Sequence, residues 1–192
     1  MAKTRESCVL LVDDDPSIRN LLANHLEKAG FESVHAEDGI DGLGKLRETL
    51  PKVIISDLEM PRMSGLEFIG VVRQRFPTLP IIVFSGSFPS RFPGDIKPGC
   101  WIEKSIQRIP DLLQAVKDLA RKAPGDIDLP QVVSIPVRTG PGFAGYFMLT
   151  CTDCLRTFRA ERARENKGVE GTAVCTHCRA HVPFVIESAV TV

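Results

Sequence analysis

Polar residues able to do chemistry follow apolar runs at four places in this chain. Asp13 and Asp14 come directly after Cys8-Val9-Leu10-Leu11-Val12, and Asp57 after Val53-Ile54-Ile55-Ser56. Ser85 closes the run Ile81-Ile82-Val83-Phe84, and Lys104 stands just beyond Cys100-Trp101-Ile102. Carboxylates brought together repel and raise one another's pKa unless a cation sits among them. Mg²⁺ suits such oxygen donors and keeps waters that a phosphate can replace. An ammonium and a hydroxyl nearby can hold phosphoryl oxygens. An Asp carboxylate can itself take a phosphoryl group as an acyl phosphate, and Asp57, alone at its strand end, is the candidate nucleophile.

The second chemistry is sulfur. Cys151 and Cys154 form one CxxC pair, Cys175 and Cys178 another. Four thiolates at these spacings fit a tetrahedral structural Zn²⁺ site, the preferred reading, and ligand spacing alone does not exclude an iron site of rubredoxin type. A dithiol redox reading wants a βαβ frame around the pair, which this stretch lacks. His177 and His181 read as bystanders, either able to replace a thiolate. Cys8 and Cys100 are single and sit beside apolar runs, as small buried thiols do.

The elements that position these groups alternate. Residues 8–12, 33–36, 53–56, 80–84 and 100–102 have strand character, three of them apolar throughout, as in a sheet covered on both faces. Ile18, Leu21, Leu22 and Leu26 repeat at helical spacing until Gly30. Ile40, Leu43, Leu46 and Leu50 mark a second helix, Leu66, Ile69 and Val72 a third, and Ile109, Leu112, Leu113 and Val116 the last. Asp14 or Asp15 is expected to cap the first helix ahead of Pro16, and Asp38 and Asp41 to serve the start of the second. Between residues 87 and 98, Pro89, Pro93, Gly94 and Pro98 stand where a helix is due, so that helix is expected to be irregular. Strands alternating with helices make an α/β sheet, whose chemistry sits at the carboxyl ends of the strands.

The chain has 192 residues, 43% of them hydrophobic, and a formal net charge of zero. That supports one packed domain with a small appendage and argues against a general nucleic-acid wrapper or an anionic-membrane binder. No run has the length of a membrane span, and the N-terminal MAKTRESC carries no apolar targeting core, so a cytoplasmic protein is expected.

Residues 8–122 resemble the receiver domain of two-component response regulators, through VDDDP at 12–16, ISDLEMPRMSG at 55–65, FSG at 84–86 and WIEKS at 101–105. The resemblance implies a flavodoxin-like five-stranded parallel sheet of order 2-1-3-4-5. It makes Asp57 the phosphoacceptor, Asp14 a direct and Asp13 a largely water-mediated Mg²⁺ ligand, and the Glu59 carbonyl a further ligand. Ser85 and Lys104 become the pair that meets the phosphoryl group, and Trp101 the aromatic position that moves on activation. It also implies a sensor histidine kinase or phosphotransfer protein as donor, and a switch with intrinsic self-phosphorylation and hydrolysis. Two departures stand out: Ser105 occupies the place of a usual proline, and the interval from Ser85 to Lys104 is short and proline-rich.

Beyond residue 122 the composition changes. Pro124, Gly125, Pro130 and Pro136 mark residues 123–139 as a linker, with a short strand possible at Val132-Val133. Residues 140–192 are too few for a large core and need a staple, which the four cysteines supply as a zinc-ribbon-like β module. Strand-like runs precede each pair, and residues 182–186 offer another. Arg156, Arg159, Arg162, Arg164 and Lys167, interleaved with Glu161 and Glu165, read as a solvated helix or loop between the knuckles. There is no helix-turn-helix pattern. The division expected is thus a receiver over residues 1–122, the linker, and the ribbon. It describes a regulator accepting phosphoryl on Asp57 and signalling through the ribbon. The alternatives are a non-cycling adaptor that docks a protein partner and a regulator that binds nucleic acid through the ribbon.

Overall fold

The computed structural model describes residues 3–4, 8–87, 100–121, 135–136, 146–161 and 170–185. Strands β1 (Cys8–Val12), β2 (Glu32–Ala36), β3 (Val53–Ser56), β4 (Ile81–Ser85) and β5 (Cys100–Glu103) form one parallel sheet in the order β2-β1-β3-β4-β5. This is the flavodoxin-like arrangement expected from the sequence. Register places the chemistry: Val12 pairs with Ala36 and Ser56, and Ser85 with Glu103, so Asp13, Asp57 and Lys104 all emerge at one edge.

Period-2 alternation explains why the strands read as unbroken apolar runs. Val9, Leu11, Val53, Ile55, Ile82 and Phe84 face the helices α1 (Pro16–Lys28) and α4 (Ile109–Arg121). Leu10, Val12, Ile54, Ile81 and Val83 face α2 (Gly39–Glu48) and α3 (Gly65–Arg75).

Local signals start and stop these helices. Asp15 is the N-cap of α1, its carboxylate accepting the Ser17 N–H at 2.7 Å ahead of Pro16. Asp38 caps α2 by accepting the Asp41 N–H at 2.9 Å. Ser64 and Glu67 make a reciprocal capping box on α3, an arrangement worth about 1 kcal/mol. Gly30, with φ +88°, takes the chain out of α1. The expected irregular helix of residues 87–98 falls almost wholly outside the described residues. So do the linker apart from Ile135–Pro136, the strand at Val132-Val133, and Arg162, Arg164, Glu165 and Lys167.

The C-terminal module is built from two antiparallel hairpins. Strand β6 (Tyr146–Thr150) pairs with β7 (Thr157–Glu161), and β8 (Glu170–Val174) with β9 (His181–Val185). The two-residue strand Ile135–Pro136 adds in parallel to β9, so the connection contributes to the module's sheet. Here one expectation needs correction. The stretch after the first CxxC pair is strand from Thr157 to Glu161 rather than the helix or loop expected: Phe158 and Ala160 point inward and Arg159 outward. Arginines three apart mimic a helical face, but the alternation of buried and exposed residues decides.

The module does not stand apart. One continuous apolar cluster holds Leu43, Leu46, Phe68, Ile69 and Val72 of the α2–α3 layer together with Leu149, Leu155, Phe158 and Val182. Ile135–Pro136 lies against α3, and Arg47 of α2 donates to the Leu155 carbonyl at 3.4 Å.

Candidate functional site

Asp57 leaves β3 with its backbone N–H on the Val12 carbonyl at 2.8 Å. Its Oδ1 accepts from Leu58 N–H at 2.6 Å and from Glu59 N–H at 3.4 Å. Its Oδ2 lies 2.5 Å from Lys104 Nζ, and the same ammonium reaches Asp13 Oδ2 at 2.8 Å. Lys104 is fixed in turn by its own N–H, which donates to the Ser85 carbonyl at 3.0 Å. Asp13, Asp57 and Ser85 are buried, whereas Asp14 is exposed. The structure therefore gathers Asp13, Asp14, Asp57, Ser85 and Lys104 from four strand ends, and places the Glu59 N–H, with its side chain in solvent, on the acceptor.

Charge is unevenly settled here. Burial pushes the Asp13 carboxyl above its ordinary pKa, more than the Lys104 and Asp15 N–H hydrogen bonds pull it down. Burial also opposes the Lys104 ammonium, but hydrogen bonds and attraction to Asp13 and Asp57 outweigh it and hold its pKa high. Oxygens of Asp13, Asp14 and Asp57 lie within 4.8 Å of one another. Three carboxylates with one ammonium among them are a donor set that fits a hard divalent cation. The Ser85 hydroxyl is buried and has no hydrogen-bond partner among the described residues, a state that costs about 1–3 kcal/mol unless an acceptor arrives.

The loop after Asp57 is packed against its own start. A Cβ on Gly65 would lie 1.9 Å from the Asp57 carbonyl oxygen, so only glycine lets α3 begin this close to the acceptor. Arg62, at φ 59°, bonds the buried Asp38 carboxylate and pairs with Glu37 at 2.6 Å. No sequence pattern announces that clamp, since arginine is not a residue that advertises a left-handed backbone. The peptide between Lys104 and Ser105 is trans, and Ser105 precedes a single turn of 3₁₀ helix, Ile106–Arg108. Trp101 is half-buried on the cluster beneath α2 and α3.

The cysteine site is equally compact. Cys151 and Cys178 place their sulfurs 3.5 Å apart, Cys154 and Cys175 theirs 3.8 Å apart, and all four lie within 4.8 Å of one another. A tetrahedral centre with metal–sulfur bonds of about 2.3 Å holds its sulfurs roughly 3.8 Å apart, so the set fits. Both knuckles use one turn. Leu155 N–H donates to Cys151 O at 2.8 Å and Arg179 N–H to Cys175 O at 3.0 Å, with φ 54° and 66°. Burial raises the Cys151 thiol to about 12. At Cys175 burial also acts upward, but N–H groups of Cys178 and His177 more than offset it and bring the thiol to about 7. His177 lies outside the cluster, its Nε2 on the Thr157 carbonyl at 3.2 Å. Cys8 is fully buried, whereas Cys100 is only half-buried.

Comparison with known proteins decides the family. The response regulator receiver domain matches residues 9–90. Chemotaxis protein CheY4 of Vibrio cholerae is 30% identical, the alignment covering 59% of this chain and 98% of that one at a TM-score of 0.54. The chain belongs to the response regulator receiver family. Response regulator TrrA of Thermotoga maritima, solved with Mg²⁺–BeF, is 33% identical over 59% of this receiver chain and 98% of TrrA, with a TM-score of 0.53. A second TrrA structure, with histidine kinase ThkA, gives 32% identity, 59% and 97% coverage and a TM-score of 0.54. The transcription regulator BvgA of Bordetella pertussis is 36% identical over 85 residues, 44% of this chain and 41% of BvgA. The receiver match thus spans less than half of that curated relative, and the cysteine module lies beyond the family's matched residues. Among the described residues no helix is long and apolar enough to cross a membrane.

Proposed function

We propose that this receiver takes a phosphoryl group on Asp57 and passes the change to its four-cysteine module. The observation that carries the reading is the placement of the Lys104 ammonium between Asp57 and Asp13, with the buried Ser85 at the adjacent strand end and its hydroxyl without a hydrogen-bond partner among the described residues. Asp57 Oδ2 would attack phosphorus in line, forming the P–O bond of an acyl phosphate as the P–N bond to a donor phosphohistidine breaks. The departing imidazole keeps the electron pair. Lys104 and Ser85 would then donate to phosphoryl oxygens, and the Leu58 and Glu59 N–H groups keep the acceptor oriented. A Mg²⁺ held by Asp13, Asp14, Asp57 and the Glu59 carbonyl would supply charge neutralisation for the phosphoryl oxygens.

The donor is proposed to be a sensor histidine kinase or phosphotransfer protein, consistent with TrrA having been solved with ThkA. The proposed division is receiver 1–122, connection 123–139 and module 140–192. Zn²⁺ is the proposed occupant of the cysteine cluster, since a unit this small needs a metal staple. The described surface of the module sets Arg156, Arg159 and Arg179 against Asp153, and a protein partner and a nucleic acid stand as the two readings of its output.

Intact-mass measurement tests the switch. With Mg²⁺ and acetyl phosphate the protein should gain one phosphoryl group and the Asp57→Ala variant none. An adduct that survives Asp57→Ala, or no adduct on either, overturns the reading. Elemental analysis of the purified protein tests the metal: about one zinc per chain supports the module as drawn, and iron in its place corrects it.

A further inference from the structure

Helix α2 touches both chemistries of this chain. At its start the fully buried Asp38 accepts the Asp41 N–H on one oxygen and the Arg62 guanidinium on the other. Gly39 donates its N–H to the Met63 carbonyl at 3.3 Å. Arg62 and Met63 both belong to the stretch that leaves Asp57, which Gly65 closes by donating to the Leu58 carbonyl at 2.9 Å. There is no slack in this contact, because a Cβ on Gly39 would lie 2.5 Å from Met63 Cγ and 2.9 Å from Phe68 Cβ. At the other end of the helix, Arg47 donates to the carbonyl of Leu155. Leu155 is the left-handed residue that closes the first knuckle around Cys151 and Cys154, and it is buried in the cluster that contains Leu43 and Leu46 of α2. A helix of ten residues spans about 15 Å, and both of its ends are tied.

We propose that α2 couples the aspartate site to the metal knuckle, so that occupancy of Asp57 alters how tightly the four-cysteine cluster retains its metal. The inference rests on the phosphoacceptor reading of Asp57. Close-packed layers shift between discrete arrangements and do not deform smoothly. A rearranged loop at residues 58–64 therefore moves the start of α2, and the move reaches Leu155 through Arg47 and the shared apolar cluster. Coupling of this kind is reciprocal: metal in the cluster changes the affinity of the Asp57 site by the same factor. The partner that reads the switch is thus the chain's own module, seated on the α2–α3 layer.

The test uses the full chain loaded with zinc. Release to an excess of a coloured zinc chelator is timed with and without beryllofluoride and Mg²⁺, while ¹⁹F NMR reports the fluoride bound to the protein. The rate should change by about fivefold or more on beryllofluoride binding. That change should fall away in Arg47→Ala and in Arg62→Ala and persist in Lys45→Ala, a half-buried position on the same helix that pairs only with Asp41 among the described residues. Circular dichroism melts of the variants confirm that each remains folded. Equal release rates with the fluoride demonstrably bound would overturn the coupling, as would a full effect retained in Arg47→Ala. A parent protein that shows no bound fluoride would sink the phosphoacceptor reading itself, and the coupling with it.

Discussion

Lys104 Nζ lies 2.5 Å from Asp57 Oδ2, joining the ends of β5 and β3 across the intervening β4. That contact makes the resting site self-contained, and a phosphoryl group must enter it by taking the ammonium for its own oxygens. Lys104→Met should therefore lower phosphoryl uptake by about 100-fold, the usual scale for losing one charged donor at a reacting centre. The rate of the mass shift with acetyl phosphate measures it. The same contact has an alkaline signature. The folded pKa of Lys104 is raised, so its stabilisation is complete below the ordinary value of 10.5 and is lost as pH climbs through the folded value. Urea melts at pH 9 and 11 should show the parent losing more stability than Lys104→Met.

Asp13 also loses stability as pH rises, but because its charged form is the one that burial penalises. Burial raises its pKa, so the folded state holds a proton more tightly than the unfolded chain does, and ionisation above the ordinary 3.8 costs stability. In Mg²⁺-free buffer, Asp13→Asn should melt higher than the parent near neutral pH. The advantage should vanish as pH falls below that value. Added Mg²⁺ should raise the parent's Tm and leave Asp13→Asn nearly unmoved.

Gly65 and Gly86 offer a paired test of the acceptor loop. A Cβ at Gly65 meets the Asp57 carbonyl oxygen at 1.9 Å, whereas one at Gly86 meets nothing within 4 Å among the described residues. Gly65→Ala should displace α3 from the acceptor and cost at least about 1–3 kcal/mol, the range for overpacking. Gly86→Ala should be close to neutral. Thermal melts read the stability, and acetyl phosphate labelling reads the acceptor.

Leu155 and Arg179 share a left-handed backbone but not a role, and glycine should separate them. Arg179 is exposed, so Arg179→Gly removes only strain and should hold zinc at least as well as the parent, while Arg179→Val should release it more readily by about 1–2 kcal/mol. Leu155 is 5% exposed and belongs to the cluster shared with the receiver. Leu155→Gly should lose about 2–5 kcal/mol of packing despite the same backbone gain. Competition against a zinc chelator ranks all three.

Most strands were legible because they are short apolar runs that end at a polar residue, and that ending marked Asp13, Asp57, Ser85 and Lys104, whereas the order of the sheet came from the resemblance to receiver domains. Where the pattern was ambiguous, the reading faltered. Arg156, Arg159 and Arg162 repeat every third residue, yet Thr157–Glu161 is a strand because Phe158 and Ala160 had an interior to enter and Arg159 did not. The capping box of Ser64 and Glu67 stands in the sequence as Ser-x-x-Glu and is a signal that local chemistry alone would support.

The sequence by itself determined the alternation of strands and helices, the four strand-end groups and the two CxxC pairs, because these depend on local periodicity and on residue type. Only the tertiary structure decided that the module lies on α2 and α3, that Arg62 clasps Asp38, that Arg47 meets Leu155, and that Ser85 is buried with its hydroxyl unpaired among the described residues. Those are contacts between distant segments. They are set by how the layers close-pack and which polar atoms that packing buries, and no spacing along the chain carries that information.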